Sequence, residues 1–223
     1  MRRPRTTSTC FALGCGILLL ARSAAGITLV QATSVEGTSV ASLARAFPGA
    51  NAAGNLVIAF VRASSATQTM TVTDAAGNAY AEAVRQVQNA DGHQIRIFYA
   101  KNIRGGANTV TVTFNKAAAY PDVRILEYSG LDKTSPLDTG AAASGSGTAA
   151  NSGAVVTSSA SELIFGAGTT ATAFSSAGSG FVSRMINAYG NIAEDRIVAA
   201  TGSYSATANN NSSGWVMQVV TFK

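Results

Sequence analysis

Apolar and polar residues alternate in short runs along this chain, and nowhere in a long window do they fall at helical spacing. Runs rich in Val, Ile, Thr and aromatics recur at roughly 8- to 15-residue intervals, separated by Gly, Asn, Asp, Ser and Pro, a strand-and-turn pattern. The pattern predicts strands over 27–33, 55–62, 69–73, 81–88, 94–100, 109–115 and 123–128, and in the second half over 154–157, 162–166, 181–186, 192–200, 203–208 and 215–222. In Thr109-Val110-Thr111-Val112-Thr113-Phe114 the valines and the phenylalanine share one face and the threonines the other, as in a half-buried antiparallel strand. In 94–99, Ile95, Ile97 and Tyr99 alternate with Gln94, Arg96 and Phe98. Leu56–Val61 and Trp215–Val220 are apolar on nearly both faces and read as central strands. The whole pattern predicts an all-β protein, a jelly-roll-like antiparallel sandwich of two sheets.

Turn chemistry agrees with these boundaries. Asp74-Ala75-Ala76-Gly77-Asn78 supplies the residues a tight turn needs, and Asp91-Gly92 is a hairpin signal between 81–88 and 94–100. The stretch Gly140 to Gly153 is almost all Ala, Ser, Gly and Thr, and reads as a long surface connection within one domain rather than a linker between two.

The first residues change how the composition is read. Arg2, Arg3 and Arg5 precede the apolar run Cys10–Ala21, and Ser23 and Ala25 follow at the spacing of a signal-peptidase site. The run is too short to span a bilayer as a helix. The expectation is an exported protein: a signal peptide over 1–25 and a single β-sandwich domain over 26–223, secreted or periplasmic. Four of the sixteen basic residues and none of the eleven acidic ones lie in that segment, so the formal charge of +5 belongs almost wholly to it. The remainder is close to neutral, which argues against a nucleic-acid partner. Both cysteines, Cys10 and Cys15, also lie in the leader, which leaves no disulfide, thiol nucleophile or Cys-type metal site.

Candidate chemistry is sparse. His93 is the sole histidine and no Gly-x-Ser-x-Gly elbow accompanies it, so a Ser-His-Asp site is not expected. No set of acids alternates on one strand as in sandwich glucanases. Adjacent Glu194 and Asp195 should point to opposite faces, and Glu127 should point inward, paired with Arg124, Arg184 or Arg196. No catalytic residue is assigned. Two oxygen-rich stretches, Asp74 with Asn78 and Asp132 with Asp138, leave calcium open as a cofactor, although turn aspartates are already explained by their own backbone bonds. Tyr120, Tyr189 and Tyr204 stand at strand ends, where aromatic rings serve as sugar-stacking platforms or as corner anchors. Tyr120 and Tyr189 are the candidate ligand contacts. Phe60, Phe98, Phe114, Phe165, Phe222 and Trp215 are expected in the core.

Arg124-Ile125-Leu126-Glu127-Tyr128-Ser129-Gly130-Leu131-Asp132, followed by Ser135-Pro136-Leu137-Asp138, resembles a recurring secreted bacterial β-sandwich domain. Tyr99–Asn102, Glu194–Arg196 and the terminal Trp215–Phe222 are similar to further elements of the same domains. The resemblance spans nearly the whole of 26–223. It implies an exported sandwich of the kind that accompanies adhesive modules, and it carries no activity with it. The leading functional expectation is therefore a non-catalytic extracellular binding module for carbohydrate or a cell-surface polymer. The alternative is a self-associating structural or adhesive component, with Ile27–Thr33 pairing to a neighbouring subunit. A carbohydrate-active enzyme ranks third.

Overall fold

A computed structural model describes residues 26–88 and 92–223. The expected signal peptide over 1–25 with Cys10 and Cys15, and Asp91 of the expected hairpin turn, lie outside them. Gly92 takes φ +66°, the left-handed conformation a tight hairpin needs.

The first eight strands are β1 (Thr28–Glu36), β2 (Ser39–Ala46), β3 (Leu56–Ala63), β4 (Met70–Asp74), β5 (Ala81–Gln88), β6 (His93–Ala100), β7 (Thr109–Ala119) and β8 (Asp122–Ser129). The next eight are β9 (Leu137–Asn151), β10 (Val155–Val156), β11 (Glu162–Thr170), β12 (Phe174–Ala177), β13 (Val182–Ile186), β14 (Ile192–Val198), β15 (Ser203–Tyr204) and β16 (Thr207–Phe222). Among the described residues the ladders between these strands are antiparallel. Among the described residues no helix is long and apolar enough to cross a membrane.

The strand order repeats. The first half forms a five-stranded sheet β1-β8-β3-β6-β5 faced by β2-β7-β4. In the second half β9 joins β16, which gives β9-β16-β11-β14-β13, faced by the small pair β10-β15. Counted from its own first strand, each half thus runs 1-8-3-6-5 in its large sheet and starts 2-7 in the smaller one, the nested pairing of a jelly roll. β12 is the exception, since it pairs along the first part of β16.

The two large sheets pack face to face. Leu56, Ile58 and Phe60 of β3 meet Leu163 and Phe165 of β11 and Val216, Val220 and Phe222 of β16 in one core. The alternate residues Val57, Ala59 and Val61 point the other way, into a second core with Val110, Val112 and Phe114. Ile164, Met217 and Val219 enter a third core inside the second half. That is why 56–61 and 215–220 read as apolar on both faces: each side of these strands lines a different core. The same arrangement covers both faces of β6, where Ile95 and Ile97 join the shared core and Phe98 joins the core of the first half. The antiparallel β-sandwich of the sequence reading is present, but as stacked sheets rather than two.

Three elements depart from the sequence reading. The low-complexity stretch 140–153 is not a surface connection: 137–151 is the long strand β9, paired with β16 from Phe222↔Leu137 to Thr207↔Asn151. Its side chains are small because bulky neighbours cover it, as at Gly145, where an added Cβ would lie 2.5 Å from Cζ2 of Trp215. β2 was missed because Leu43 is its one buried side chain, and β12 because it is short.

Buried polar groups staple the shared face. Arg124, fully buried, holds Asp122 at 3.1 Å and donates across the interface to the carbonyls of Met185 (2.8 Å) and Asn191 (2.7 Å). The Tyr128 hydroxyl donates to Asp195 (2.6 Å), which also receives Arg184 (2.8 Å), and Gln218 donates to the Ile95 carbonyl (3.0 Å). A buried ion pair lacking these further bonds would not recover its desolvation cost.

Candidate functional site

The cleft that collects the expected ligand contacts lies at one end of this stack, where the two halves meet. Its volume is about 400 Å³, and Arg62, His93, Ala119, Tyr120, Thr170 and Tyr189 are among its lining residues. Strand ends supply it: Arg62 from β3, His93 from β6, Ala119 from β7 and Thr170 from β11. Tyr120 sits in the turn between β7 and β8, and Tyr189 in the turn between β13 and β14.

Tyr120 is held in an unusual conformation. Its φ is +45°, a left-handed geometry costing a bulky residue about 1–3 kcal/mol, which persists only where neighbours over-determine it. Those neighbours are identifiable. Its N–H donates to the Thr38 carbonyl (2.8 Å), its own carbonyl accepts from Arg62 Nη1 (2.5 Å), and the Ala119 carbonyl accepts from Ser64 N–H (3.1 Å). The turn therefore presents the Tyr120 side chain outward, and the residue is 53% exposed.

Tyr189 meets it edge-on, with ring centroids 5.9 Å apart and planes at 88°, a favourable aromatic geometry. The Asn187–Asn191 turn is closed by Gly190 N–H on the Asn187 carbonyl (2.9 Å) and Asn191 N–H on the Asn187 side chain (3.0 Å). The Tyr189 hydroxyl then donates to the Gly37 carbonyl in the β1–β2 turn (3.1 Å), tying a turn of the second half to the first. The structure thus brings together two tyrosines that lie far apart in sequence.

Arg62 gives the cleft its charge. It is only 6% exposed, and among the described residues its Nε has no hydrogen-bond partner. Burial pulls its pKa down, with Asp122 and the Tyr189 side chain opposing, yet a guanidinium stays charged. Asp122 is half engaged: Oδ2 accepts from Arg124 (3.1 Å), Asn187 (2.7 Å) and Asn191 (3.0 Å), while its buried Oδ1 makes no hydrogen bond among the described residues. Among the described residues Arg62 forms no ion pair within 4 Å. Sequence reasoning missed Arg62 as a site residue. The available signal was a charge closing an otherwise unbroken apolar strand.

The other candidates are placed elsewhere. Tyr204 does not line the cleft; its hydroxyl donates to the Ala200 carbonyl (2.8 Å) and Arg196 stacks 5.5 Å from its ring, so it anchors a corner. Glu127 is buried as expected, but without an arginine. Its carboxylate accepts from Gln31 (2.6 Å), Asn51 (2.6 Å), Asn55 (2.6 Å) and the Ala52 N–H (2.8 Å), which pins the 49–55 loop to β8. Arg124 and Arg184 are claimed by Asp122 and Asp195, and Arg196 by the Tyr204 ring. Glu194 and Asp195 do face opposite ways. Asp195 meets Tyr128 at the shared face, while Glu194 lies beside Gly166 and Ala206 inside the second half, where burial pushes its carboxyl up to about 7. Of the oxygen-rich stretches, Asp74 accepts from Asn78, Tyr80 and Asn108. Asp132 accepts the Thr134 and Ser135 N–H groups, and Asp138 accepts Ser158 and lies 3.4 Å from Lys223. These carboxylates face donors. Among the described residues no three His, Cys, Asp or Glu side chains gather as a metal-binding group.

Comparison with protein-family models, with curated proteins and with solved structures finds no match for this chain. What fold and cleft define is a class: an antiparallel β-sandwich with an aromatic-mouthed cleft over a buried arginine.

Proposed function

We propose that the protein is an exported, non-catalytic binding module that takes a saccharide of an extracellular or cell-surface polymer in the Tyr120–Tyr189 cleft. The observation that carries this reading is the paired tyrosines at the mouth of a 400 Å³ recess. Sugar rings present an apolar C–H face and a hydroxyl rim, and they need an exposed aromatic ring with polar groups around it. Tyr120 supplies the ring, Tyr189, His93 and Ser64 line the recess around it, and Arg62 lies beneath. A pre-formed concave site with a few convergent polar groups is the usual form of a small-ligand site. The near-neutral 26–223 segment and the leader-like 1–25 segment support an exported location.

The test is a glycan array probed with the purified protein and with Tyr120→Ala and Tyr189→Ala. The expected result is a specific signal that falls at least ten-fold in both variants. Silence across the array overturns the reading and moves the weight to self-association as a structural or adhesive component. Hydrolysis of any bound glycan on prolonged incubation would refute the non-catalytic part.

A further inference from the structure

The charge at the base of the cleft says more about the ligand than its aromatic mouth does. Arg62 is more than nine-tenths buried and lines the recess, and one guanidinium nitrogen donates to a neutral carbonyl while Nε donates to nothing. Its facing acid, Asp122, spends Oδ2 on three donors, including a second arginine, and although Oδ1 makes no hydrogen bond among the described residues, neither oxygen comes within 4 Å of Arg62 as an ion pair. Glu36 sits opposite Asp122 in the β1–β8 ladder, half-exposed and acting on Arg124. The two buried arginines thus share one buried acid, and the arginine left without a salt bridge is the one at the cleft. A buried, under-compensated cation is costly, and a carboxylate brought to it would replace lost hydration with charge-assisted bonds.

We infer that the cleft selects acidic saccharides, binding a uronate residue with its carboxylate on the Arg62 guanidinium and its ring against Tyr120. This rests on the binding-module reading above and narrows it. The geometry also links the two contacts. Arg62 Nη1 holds the carbonyl of the strained Tyr120, so the group that receives the carboxylate also fixes the ring that receives the sugar. A planar fork of donors matches the two oxygens of a carboxylate with charge-assisted bonds, which the hydroxyls of a neutral sugar cannot offer.

The test is calorimetric titration of the purified protein with trigalacturonate and with its fully methyl-esterified, uncharged counterpart. The expected result is at least ten-fold tighter binding of the acid form, a preference that shrinks as salt is raised from 50 to 500 mM. Arg62→Gln should abolish the preference while leaving weak binding of both forms, and Arg62→Lys should keep part of it. Because substituting a buried arginine also perturbs folding, the wild-type protein supplies an independent readout. The Arg62 Nε–H resonance should move on addition of trigalacturonate and stay in place with the ester. Equal affinity for the two forms, or an unmoved resonance at saturation, overturns the acidic-sugar inference and leaves the binding module standing. No binding of either form, with a silent glycan array, overturns both.

Discussion

Glu127 offers the sharpest test of how the loop before β3 is held, and Glu127→Gln is the perturbation. The carboxylate takes two donors on each oxygen: Gln31 and Asn51 on one, Ala52 N–H and Asn55 on the other, at 2.6 to 2.8 Å. A glutamine keeps one oxygen and turns an NH₂ group on the other pair. If that group faces Gln31 and Asn51, the Asn51 amide can turn, since its buried Oδ1 has no partner to lose. Gln31 cannot follow, because its amide is already paired both ways with Gly49 (2.9 and 3.2 Å). At least one charge-assisted bond is therefore lost and a second weakened. At about 1.5–3 kcal/mol each the substitution costs about 2–5 kcal/mol. A central loss of about 3 kcal/mol lowers the melting temperature of a domain this size by roughly 6 to 12 °C. Urea denaturation at pH 7, followed by the emission of the single tryptophan, measures it, with the m-value expected unchanged. The acid limb gives a second check. The donors hold the Glu127 pKa below its ordinary value despite burial. Its stabilisation is therefore present above the unfolded-state value of about 4.3 and lost as pH falls through the lower folded value. The variant should lack that part of the acid transition. A loss under about 1 kcal/mol, with the acid limb unchanged, would refute the assignment of the four bonds.

Two further predictions concern the second half. Gly145→Ala places a Cβ 2.5 Å from the Trp215 ring, so it should cost about 1–3 kcal/mol by overpacking and red-shift tryptophan emission; unchanged emission and stability would count against the packing of β9 on β16. Glu194 has the opposite sign to Glu127. Its folded pKa, raised to about 7, exceeds the unfolded one, so the folded state holds the extra proton and stability declines as pH rises from about 4.3 through 7, by at most about 4 kcal/mol. Glu194→Gln should flatten that limb, and denaturation midpoints at pH 5 and pH 8 decide it.

The sequence by itself determined the fold class, and for a local reason. Period-two alternation and turn residues are written over a few neighbours, so β7, with Val110, Val112 and Phe114 inward, is legible without any partner. The doubly apolar runs at 56–61 and 215–220 even announced strands covered on both sides. Adjacent residues on a strand must diverge, which is why Glu194 and Asp195 could be assigned to opposite faces. Tyr120 and Tyr189 could be named as aromatics at strand ends.

Only the tertiary structure decided the rest. β9 carries no apolar signal of its own, because its stability comes from the ladder to β16 and its small side chains from the bulk above them. The partner of Glu127 could not be read by charge alone: four neutral donors from a loop satisfy a buried carboxylate as well as an arginine does, and which reaches it depends on chain path. The repeated strand order arises from pairings tens of positions apart, such as β3 with β8 and β11 with β16, and the shared face from contacts more than a hundred apart, such as Gln218 with Ile95. The cleft has the same origin. A strand-end arginine and two turn tyrosines become one site only because two sheets stack with their ends aligned, and that alignment is set by burying Phe60 against Phe165 and Phe222 rather than by any local motif.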